Sequence, residues 1–306
     1  MSTTSSAPSS GLTIERPKRV GRRARRVRVG WRRAALPLIG LVILLTLVIG
    51  SIVVPLVSPF DPYRQDLFAR LQPPGWTNEA GRTYLFGADQ LGRDILTRAF
   101  LAARLSLAIS VVAVTGSAII GIVLGLIAGM RGGVFDDMIM RFADLQLAIP
   151  MILLALAIVA LLGPSVANVI FVFIITGWPI FARTVRASTL TLREHEFVAA
   201  ARCIGCPQSR ILSRHILPNA ARPLIVIASF ELGKVILYEA SLGFLGMGPQ
   251  PPTPTWGNMM ADGRPYLDTA WWLIFFPGMF LVLSAAATNY IGDGLNEWLD
   301  PRSRRA

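Results

Sequence analysis

The segment that decides the fold class spans residues 34–57 and reads AALPLIGLVILLTLVIGSIVVPLV. None of its 24 residues is charged. As an α-helix rising about 1.5 Å per residue it would be roughly 36 Å long, enough to cross a hydrocarbon core of about 30 Å with some tilt. It is too long for the apolar region of a signal peptide and lacks a small-residue cleavage site. We therefore predict a transmembrane helix over residues 34–57.

Five more apolar stretches follow, so the fold is predicted to be an all-α membrane protein with about six transmembrane helices. Over the whole sequence 53% of the residues are hydrophobic and 16% are charged, whereas soluble domains typically carry about 25% charged residues. Residues 58–101 contain many prolines and charges and are predicted to form a loop outside the bilayer, followed by a core of five helices in residues 102–293. The five helices are predicted over residues 105–130, 142–162 (interrupted by Pro150), 166–181, 224–245 and 271–291.

Basic residues are concentrated in segments that alternate with the predicted outer loops. Of the 30 Lys and Arg residues, ten lie in residues 1–33 and seven in residues 183–222. Because cytoplasmic flanks are enriched in Lys and Arg, both termini are predicted to be cytoplasmic, with residues 294–306 as the C-terminal tail. Residues 1–33 are predicted to be disordered and to attract anionic lipid headgroups. No nucleic-acid-binding motif accompanies them, so the net charge of +12 does not indicate a nucleic-acid partner.

The cytoplasmic segment 183–222 is predicted to contain two short helices. The first would end at Gly205, because glycine suits the left-handed conformation that closes a helix. The second would begin after Pro207 and end at Pro218. Each helix has an apolar face with helical spacing, which predicts a docking site for a cytoplasmic protein. The faces consist of Phe197, Ala200, Ala201 and Ile204 in the first helix and Ile211, Leu212, His215 and Ile216 in the second.

This segment resembles the coupling loop in the permeases of binding-protein-dependent ABC importers. Their motif is E-A-A, three residues and Gly, with an apolar-Leu-Pro ending; the counterparts here are residues 199–201, Gly205 and residues 216–218. The Glu of the motif is Ala199 here, so an ion pair from that position is missing or is supplied by Glu196 or Arg202. The resemblance implies ATPase contacts by Glu196, Phe197, Ala199, Ala200, Ala201, Arg202, Ile204, Gly205, Ile216 and Pro218.

Longer stretches resemble the dipeptide, oligopeptide and nickel branch of that family, and most closely its C-type peptide permease. They are FGADQLGRDIL (86–96), ARLSL (103–107), EASLGFLGMG (239–248), QPPTPTWG (250–257) and the C-terminal residues 292–302. In the third stretch Gly243 replaces a Ser of the family pattern. The resemblance covers about residues 36–302.

The resemblance implies a type I ABC importer permease fold with the coupling loop between the fourth and fifth spans, in a bacterial inner membrane. It implies four kinds of partner: a homologous second permease, two ABC ATPase subunits that hold ATP and Mg²⁺, an extracytoplasmic substrate-binding protein, and membrane lipids. The implied substrates are di- and oligopeptides. Nickel or another small solute is the alternative within the family.

The predicted fifth transmembrane helix contains three ionisable residues, Glu231, Lys234 and Glu239. A charge at the bilayer centre costs about 2.5–3.5 kcal/mol on insertion scales, so these side chains should face partners or water. Glu231 and Lys234 are three positions apart on a helix and can pair. Two interpretations stay open: mutual neutralisation at a helix interface, or lining of the pathway through which substrate crosses.

The sequence contains no catalytic motif, so the chain is predicted not to be an enzyme. A phosphate-binding loop of the form G-x-x-x-x-G-K-S/T occurs nowhere, and two histidines in one loop do not indicate a catalytic triad. Cys203 and Cys206 form a lone C-x-x-C pair without the four ligands of a structural zinc site. No catalytic residue, metal site or cofactor is assigned to this chain. A stand-alone secondary transporter and a membrane enzyme are the alternatives from other classes.

Overall fold

The structure is a helical assembly with one small antiparallel sheet. A computed structural model describes residues 22–299, with side chains from Ala35 onward. The elements in chain order are α1 (Arg22–Val57), β1 (Trp76–Thr77), β2 (Thr83–Tyr84), α2 (Ile95–Arg131), α3 (Gly133–Leu147), α4 (Met151–Leu162), α5 (Val166–Leu192), α6 (Glu196–Cys203), α7 (Gln208–Ile211), α8 (Leu217–Phe244), α9 (Trp256–Gly263) and α10 (Trp272–Leu299). Short 3₁₀ helices lie at Leu67–Ala69 and Arg264–Tyr266, and a π-helical turn at Leu212–Ile216.

Six helical units correspond to the six predicted transmembrane helices. Within residues 22–299, four helices are long and apolar enough to cross a membrane: α1 from Ala35 onward, α2, α5 and α10. The bent pair α3–α4 supplies a fifth span if it is counted as one. Helix α8 has 28 residues, the same length as α10, but contains Glu231, Lys234 and Glu239.

The first helix is longer than hydropathy predicts. It begins at Arg22, so the predicted disorder is wrong for residues 22–33, whose backbone is helical. Residues 1–21, the rest of the predicted tail, lie outside the described part. Arginine and alanine are good helix formers, and here they continue a helix that the bilayer already favours. Hydropathy marks only the apolar part of such a helix.

The second helix begins inside the predicted outer loop, at Ile95 rather than at residue 105. The side chain of Asp94 accepts hydrogen bonds from the Thr97 amide at 2.8 Å and from its hydroxyl at 2.6 Å. Such an N-cap satisfies a backbone donor that has no partner within the helix. The cap therefore fixes the start of α2 well before its apolar segment.

Two other helices extend past their predicted C-terminal ends. Helix α5 continues to Leu192, into the predicted polar segment, and α10 continues to Leu299, into the predicted tail. Residues 300–306 of that tail lie outside the described part. The extension of α5 is stabilised by packing, because Ala182, Val185 and Thr189 are fully buried.

The predicted third span, residues 142–162, is divided at the expected break near Pro150 into two helices, and the first of them begins earlier than predicted, at Gly133. Helices α3 and α4 meet at an angle of 89°. Pro150 precedes α4, and it both lacks an amide donor and disfavours helical geometry in Ile149. The proline predicts the break, but neither it nor the apolar character of the segment gives the angle between the two helices.

Helices α2 and α5 pack closely because α2 presents a row of glycines. A Cβ atom added to Gly125 would lie 2.8 Å from Cβ of Val185, and one added to Gly129 would lie 2.6 Å from Cβ of Thr189. Small residues at a four-residue spacing allow helix backbones to approach in a membrane. This packing joins the longest helix of the described chain to the helix that leads into segment 193–216.

The segment between α1 and α2 is compact and joined to the helices by buried ion pairs. Arg93 Nε lies 2.7 Å from Asp89 Oδ2, and Arg98 Nε of α2 lies 3.6 Å from the same oxygen. Gly87 and Gly92 have φ values of 78° and 72°, a left-handed conformation that allows the chain to turn tightly there. The charged residues in this region hold the segment against α2.

Candidate functional site

The segment between α5 and α8, residues 193–216, forms a compact projection that we call the foot. Helix α6 ends in a two-bond glycine cap: the Gly205 amide donates to Arg202 O and the Cys206 amide to Ala201 O, both at 3.0 Å. Gly205 has a φ of 76°, which confirms the predicted left-handed conformation. The chain therefore reverses sharply between α6 and α7.

The inner face of the foot packs against the ends of two long helices. Val198, Ala201, Ile211 and Ile216 are buried together in one cluster. Partly buried Leu126 and Met130 of α2 and Leu192 of α5 pack against this cluster, and Arg193 Nη1 donates to Gly129 O at 3.0 Å. The foot is thus attached to the α2–α5 pair.

The outer face of α6 is exposed and partly apolar. Phe197 is 42% exposed and Ile204 is 80% exposed, and Ala199, Ala200 and Arg202 are also exposed. The predictions that Ala201 lies on this face and that Ile211 and Ile216 are available for docking are wrong, because all three side chains are buried in the inner cluster with Val198, which was not predicted. Periodicity identifies the side chains that share a helix face, but a short helix with apolar residues all round does not show which face has a neighbour.

Both histidines of the chain lie beside the exposed phenylalanine. The ring centroid of Phe197 is 5.6 Å from that of His195 and 6.1 Å from that of His215. The rings form a small aromatic surface at the outer side of the foot. His215 therefore connects the second part of the foot to the outer face of α6.

Pro218 does not end the second helix of the foot, contrary to the prediction. Residues 212–216 form a π-helical turn in which the Leu217 amide donates to Leu212 O, five residues earlier. Pro218 then lies in the first turn of α8, directly after the π-helical turn, and the helix continues through it. The chain is consequently helical from Gln208 to Phe244, which connects the foot rigidly to α8 as well as to α5.

Helix α3 is fastened to α5 near the bend before α4. Gln146 Nε2 donates to Ile175 O at 2.8 Å and to Thr176 O at 2.9 Å, and its Oε1 accepts from Trp178 Nε1 at 3.0 Å. Arg186 of α5 also pairs with Asp136 of α3: its Nε donates to Asp136 Oδ1 and its Nη2 donates to Asp136 Oδ2. The role of Gln146 was not predicted, because the only indication in the sequence is a single amide side chain within an apolar stretch.

Glu231 and Lys234 pair as predicted, with 2.6 Å between Lys234 Nζ and Glu231 Oε1. Two cavities, of about 280 Å³ and about 490 Å³, both have this pair in their walls. The smaller cavity lies between the α3–α4 bend, α5 and α8, with Gln146 and Tyr238 also in its wall. The pair therefore occupies a hollow between helices.

Glu239 is separated from this pair. Its side chain is fully buried, and its carboxyl group faces the hydroxyls of Ser106 in α2 and Thr255 before α9. Neither carboxyl oxygen has a hydrogen bond of normal geometry. Glu239 is not in the wall of either cavity that contains Glu231 and Lys234. The sequence analysis grouped the three residues, but the structure brings only two of them together.

Comparison with known proteins identifies the family. Residues 121–305 match the family described as "Binding-protein-dependent transport system inner membrane component", and residues 25–74 match "N-terminal TM domain of oligopeptide transport permease C". The chain belongs to the binding-protein-dependent transport system inner membrane component family. It is a non-catalytic, multi-pass permease subunit of an ABC importer in the inner membrane.

Individual relatives agree with this membership. The chain is 42% identical over 267 residues to the di/tripeptide transport system permease protein DppC of Pseudomonas aeruginosa (strain UCBPP-PA14), covering 87% of this chain and 88% of that protein. It is 43% identical to the dipeptide transport system permease protein DppC of Alkalihalophilus pseudofirmus, covering 90% of each. A chain of the inward-facing MetNI methionine ABC transporter has a TM-score of 0.53 at 19% identity, over 66% of this chain and 96% of that one, and shows the shared fold.

Among the described residues no group of three or more His, Cys, Asp or Glu side chains could hold a metal ion. Cys203 and Cys206 are free thiols, of which Cys203 is exposed. The residues of interest are therefore of two kinds: the outer face of the foot, and the charged pair between the cavities. The pair lies on α8, which is continuous with α7 and the π-helical turn of the foot, whereas α6 is separated from them by the turn at Gly205.

Proposed function

We propose that this chain is the C-type permease subunit of an ATP-driven importer of di- and oligopeptides, with both termini in the cytoplasm. The observation that carries the proposal is the foot, which combines a rigid attachment to α5 and α8 with an exposed face of Phe197, Ala200 and Ile204. Curated relatives over most of the chain are permeases of dipeptide transport systems. Their names support peptides as the substrate class.

The proposed partners each act at a different part of the molecule. Two ATPase subunits bind ATP and Mg²⁺, and one of them holds the foot in a cleft. A homologous second permease completes the pathway, and a substrate-binding protein delivers peptide to the outer side. Closing of the ATPases pushes the foot, and the helical continuity of residues 208–244 carries that motion into α8 and its cavities. The pathway then opens alternately to each side of the membrane.

A substitution at Gly205 tests the foot. Gly205→Val would place a β-branched residue at a φ of 76°, which L-residues avoid, and would distort the turn between α6 and α7. We expect the complex to insert but to lose peptide uptake and substrate-stimulated ATP hydrolysis. Gly163→Val is the matched control, because Gly163 has a φ of 87°, open space around its Cα, and a place in the turn between α4 and α5. Normal uptake by Gly205→Val would contradict the coupling role.

The substrate class and the dependence on partners are tested together by reconstitution. The chain is purified in mild detergent with its co-purifying proteins, and proteoliposomes are supplied with the accompanying binding protein and ATP. Uptake of a labelled dipeptide that requires ATP supports the proposal. Uptake of Ni²⁺ instead would assign the nickel alternative, and transport by the lone chain along an ion gradient would assign a secondary transporter.

A further inference from the structure

Glu231 and Lys234 are charged residues in the walls of two cavities that are otherwise lined by uncharged residues. In the two cavity walls of the described chain that contain the pair, no other charged side chain is present. The two residues are unequally presented: the Lys234 side chain is 57% exposed and that of Glu231 is 11% exposed. Charged side chains in membrane helices face protein or a water-filled cavity rather than lipid.

The Glu231–Lys234 ion pair can open more readily than a fully buried ion pair. Lys234 has a flexible four-carbon stem and only one ion-pair partner among the described residues, at 2.6 Å. Its exposure allows the ammonium group to move away from Glu231 into the cavity. The Glu231 carboxylate and the Lys234 ammonium group could then each bind another charged group, at a separation limited by the length of the lysine side chain.

We propose that Glu231 and Lys234 form a transient site for the two charged termini of a zwitterionic peptide. Lys234 binds the peptide α-carboxylate and Glu231 binds its α-ammonium group. This inference rests on the proposed function, since it assigns the peptide site within the same importer. It selects, between the two interpretations left open by the sequence, a role in the pathway.

Charge balance explains why such a pair suits a zwitterion. In the empty pathway each residue neutralises the other, and a bound peptide replaces one ion pair by two. A solute with a single charge would satisfy one residue and leave the other without an ion-pair partner. The exchange leaves the net charge unchanged, which favours passage without tight binding.

The dimensions of the smaller cavity agree with a short peptide. Two residues span roughly 7 Å when extended, and the cavity has a volume of about 280 Å³. The Tyr238 side chain, one helical turn beyond Lys234, is also in its wall and carries a hydroxyl that can bond to a peptide group. Gln146 on the opposite side is already hydrogen-bonded to α5 and provides a fixed wall.

The test compares neutral and charged forms of the pair in the complete complex. In proteoliposomes with saturating peptide-loaded binding protein, the number of peptides imported per ATP hydrolysed is measured for the wild type and for Glu231→Gln/Lys234→Gln. The double variant removes both charges but keeps polar side chains of similar length. We expect the ratio to fall at least about tenfold, the loss expected when charge-assisted contacts at both termini disappear. Stimulated ATP hydrolysis should stay within twofold of the wild type.

Asp144→Asn/Arg183→Gln is the matched control, because it neutralises an exposed ion pair that lies in neither cavity wall. We expect its transport ratio to equal that of the wild type. An unchanged ratio in the Glu231/Lys234 double variant would overturn the proposal. Loss of assembly in that variant would also overturn it, because the charges would then serve folding. A wild-type complex that assembles but imports no peptide would instead refute the proposed function.

Discussion

Gln146 supplies the hydrogen-bond donor that Pro179 removes from α5. In an α-helix the carbonyl of Ile175 would accept from the amide of residue 179, but proline has none. Gln146 Nε2 donates to that carbonyl at 2.8 Å from the last turn of α3. Helix α5 and the bent pair α3–α4 are therefore joined where Pro179 interrupts the backbone hydrogen bonding of α5. The junction also forms part of the wall of the cavity that contains Glu231 and Lys234.

Gln146→Leu should destabilise the protein by about 2–4 kcal/mol, because it leaves the Ile175 carbonyl and the Trp178 indole N–H without partners. Thermal unfolding in detergent measures the effect. Trp178→Phe removes the indole donor together with part of a buried ring, and should cost about 1–3 kcal/mol. Because the two side chains share one hydrogen bond, the double variant should be less destabilised than the sum of the singles. Strict additivity would contradict the assigned contact.

Gly125→Ala should destabilise the α2–α5 packing by about 1–3 kcal/mol, since the added methyl group has no room. It would meet Cβ of Val185 at 2.8 Å and Cα of Ala182 at 3.1 Å, atoms that cannot move independently of α5. Gly116→Ala is the control on the same helix: there the methyl group meets the flexible side chain of Ile174. We expect a clearly smaller loss of thermal stability for Gly116→Ala. Equal losses would show that close backbone approach is not the cause.

Phe197→Ala and Val198→Ala should separate coupling from stability. Phe197 is 42% exposed on the outer face of the foot, so its removal should change the free energy of unfolding by no more than about 0.5 kcal/mol. It should nevertheless reduce substrate-stimulated ATP hydrolysis, because the partner loses an aromatic anchor. Val198 is fully buried, and its truncation should cost roughly 1–3 kcal/mol. Normal coupling in Phe197→Ala would contradict the outer-face assignment.

The titration of Asp94 should make stability depend on pH. Burial disfavours the charged carboxylate and raises the pKa of Asp94 in the folded protein. Because the folded state then binds the proton more tightly than the unfolded state, the contribution of Asp94 to stability should be largest at low pH and be lost as the pH rises through its folded pKa. Asp94→Asn does not titrate and keeps an acceptor for Thr97, so its stability relative to the wild type should increase with pH. Unfolding midpoints between about pH 4 and pH 8 measure this difference; a constant difference would exclude it.

Local chemistry made several features predictable from the sequence alone. The uncharged run after Ala34 predicts a membrane helix regardless of its neighbours, because the bilayer itself is the solvent. Gly205 predicts the closing turn of α6, since only glycine adopts that backbone conformation freely. The i, i+3 spacing predicts the Glu231–Lys234 pair, because both residues belong to one helix. The family resemblance rests on motifs that are likewise contiguous in the chain.

Features that depend on distant neighbours were decided only by the tertiary structure. Hydropathy could not show the 89° angle between α3 and α4. Nor could it show the hydrogen bond from Gln146 to the Ile175 carbonyl of α5, because these residues are 29 positions apart in the sequence. Periodicity could not show that Ala201 faces inward, because both faces of α6 are apolar and only α2 and α5 determine which one is covered. The sequence by itself determined that the protein lies in a membrane, to which family it belongs and where its local turns are. The structure determined which apolar face remains open and where the charges meet, because both depend on how separate helices pack.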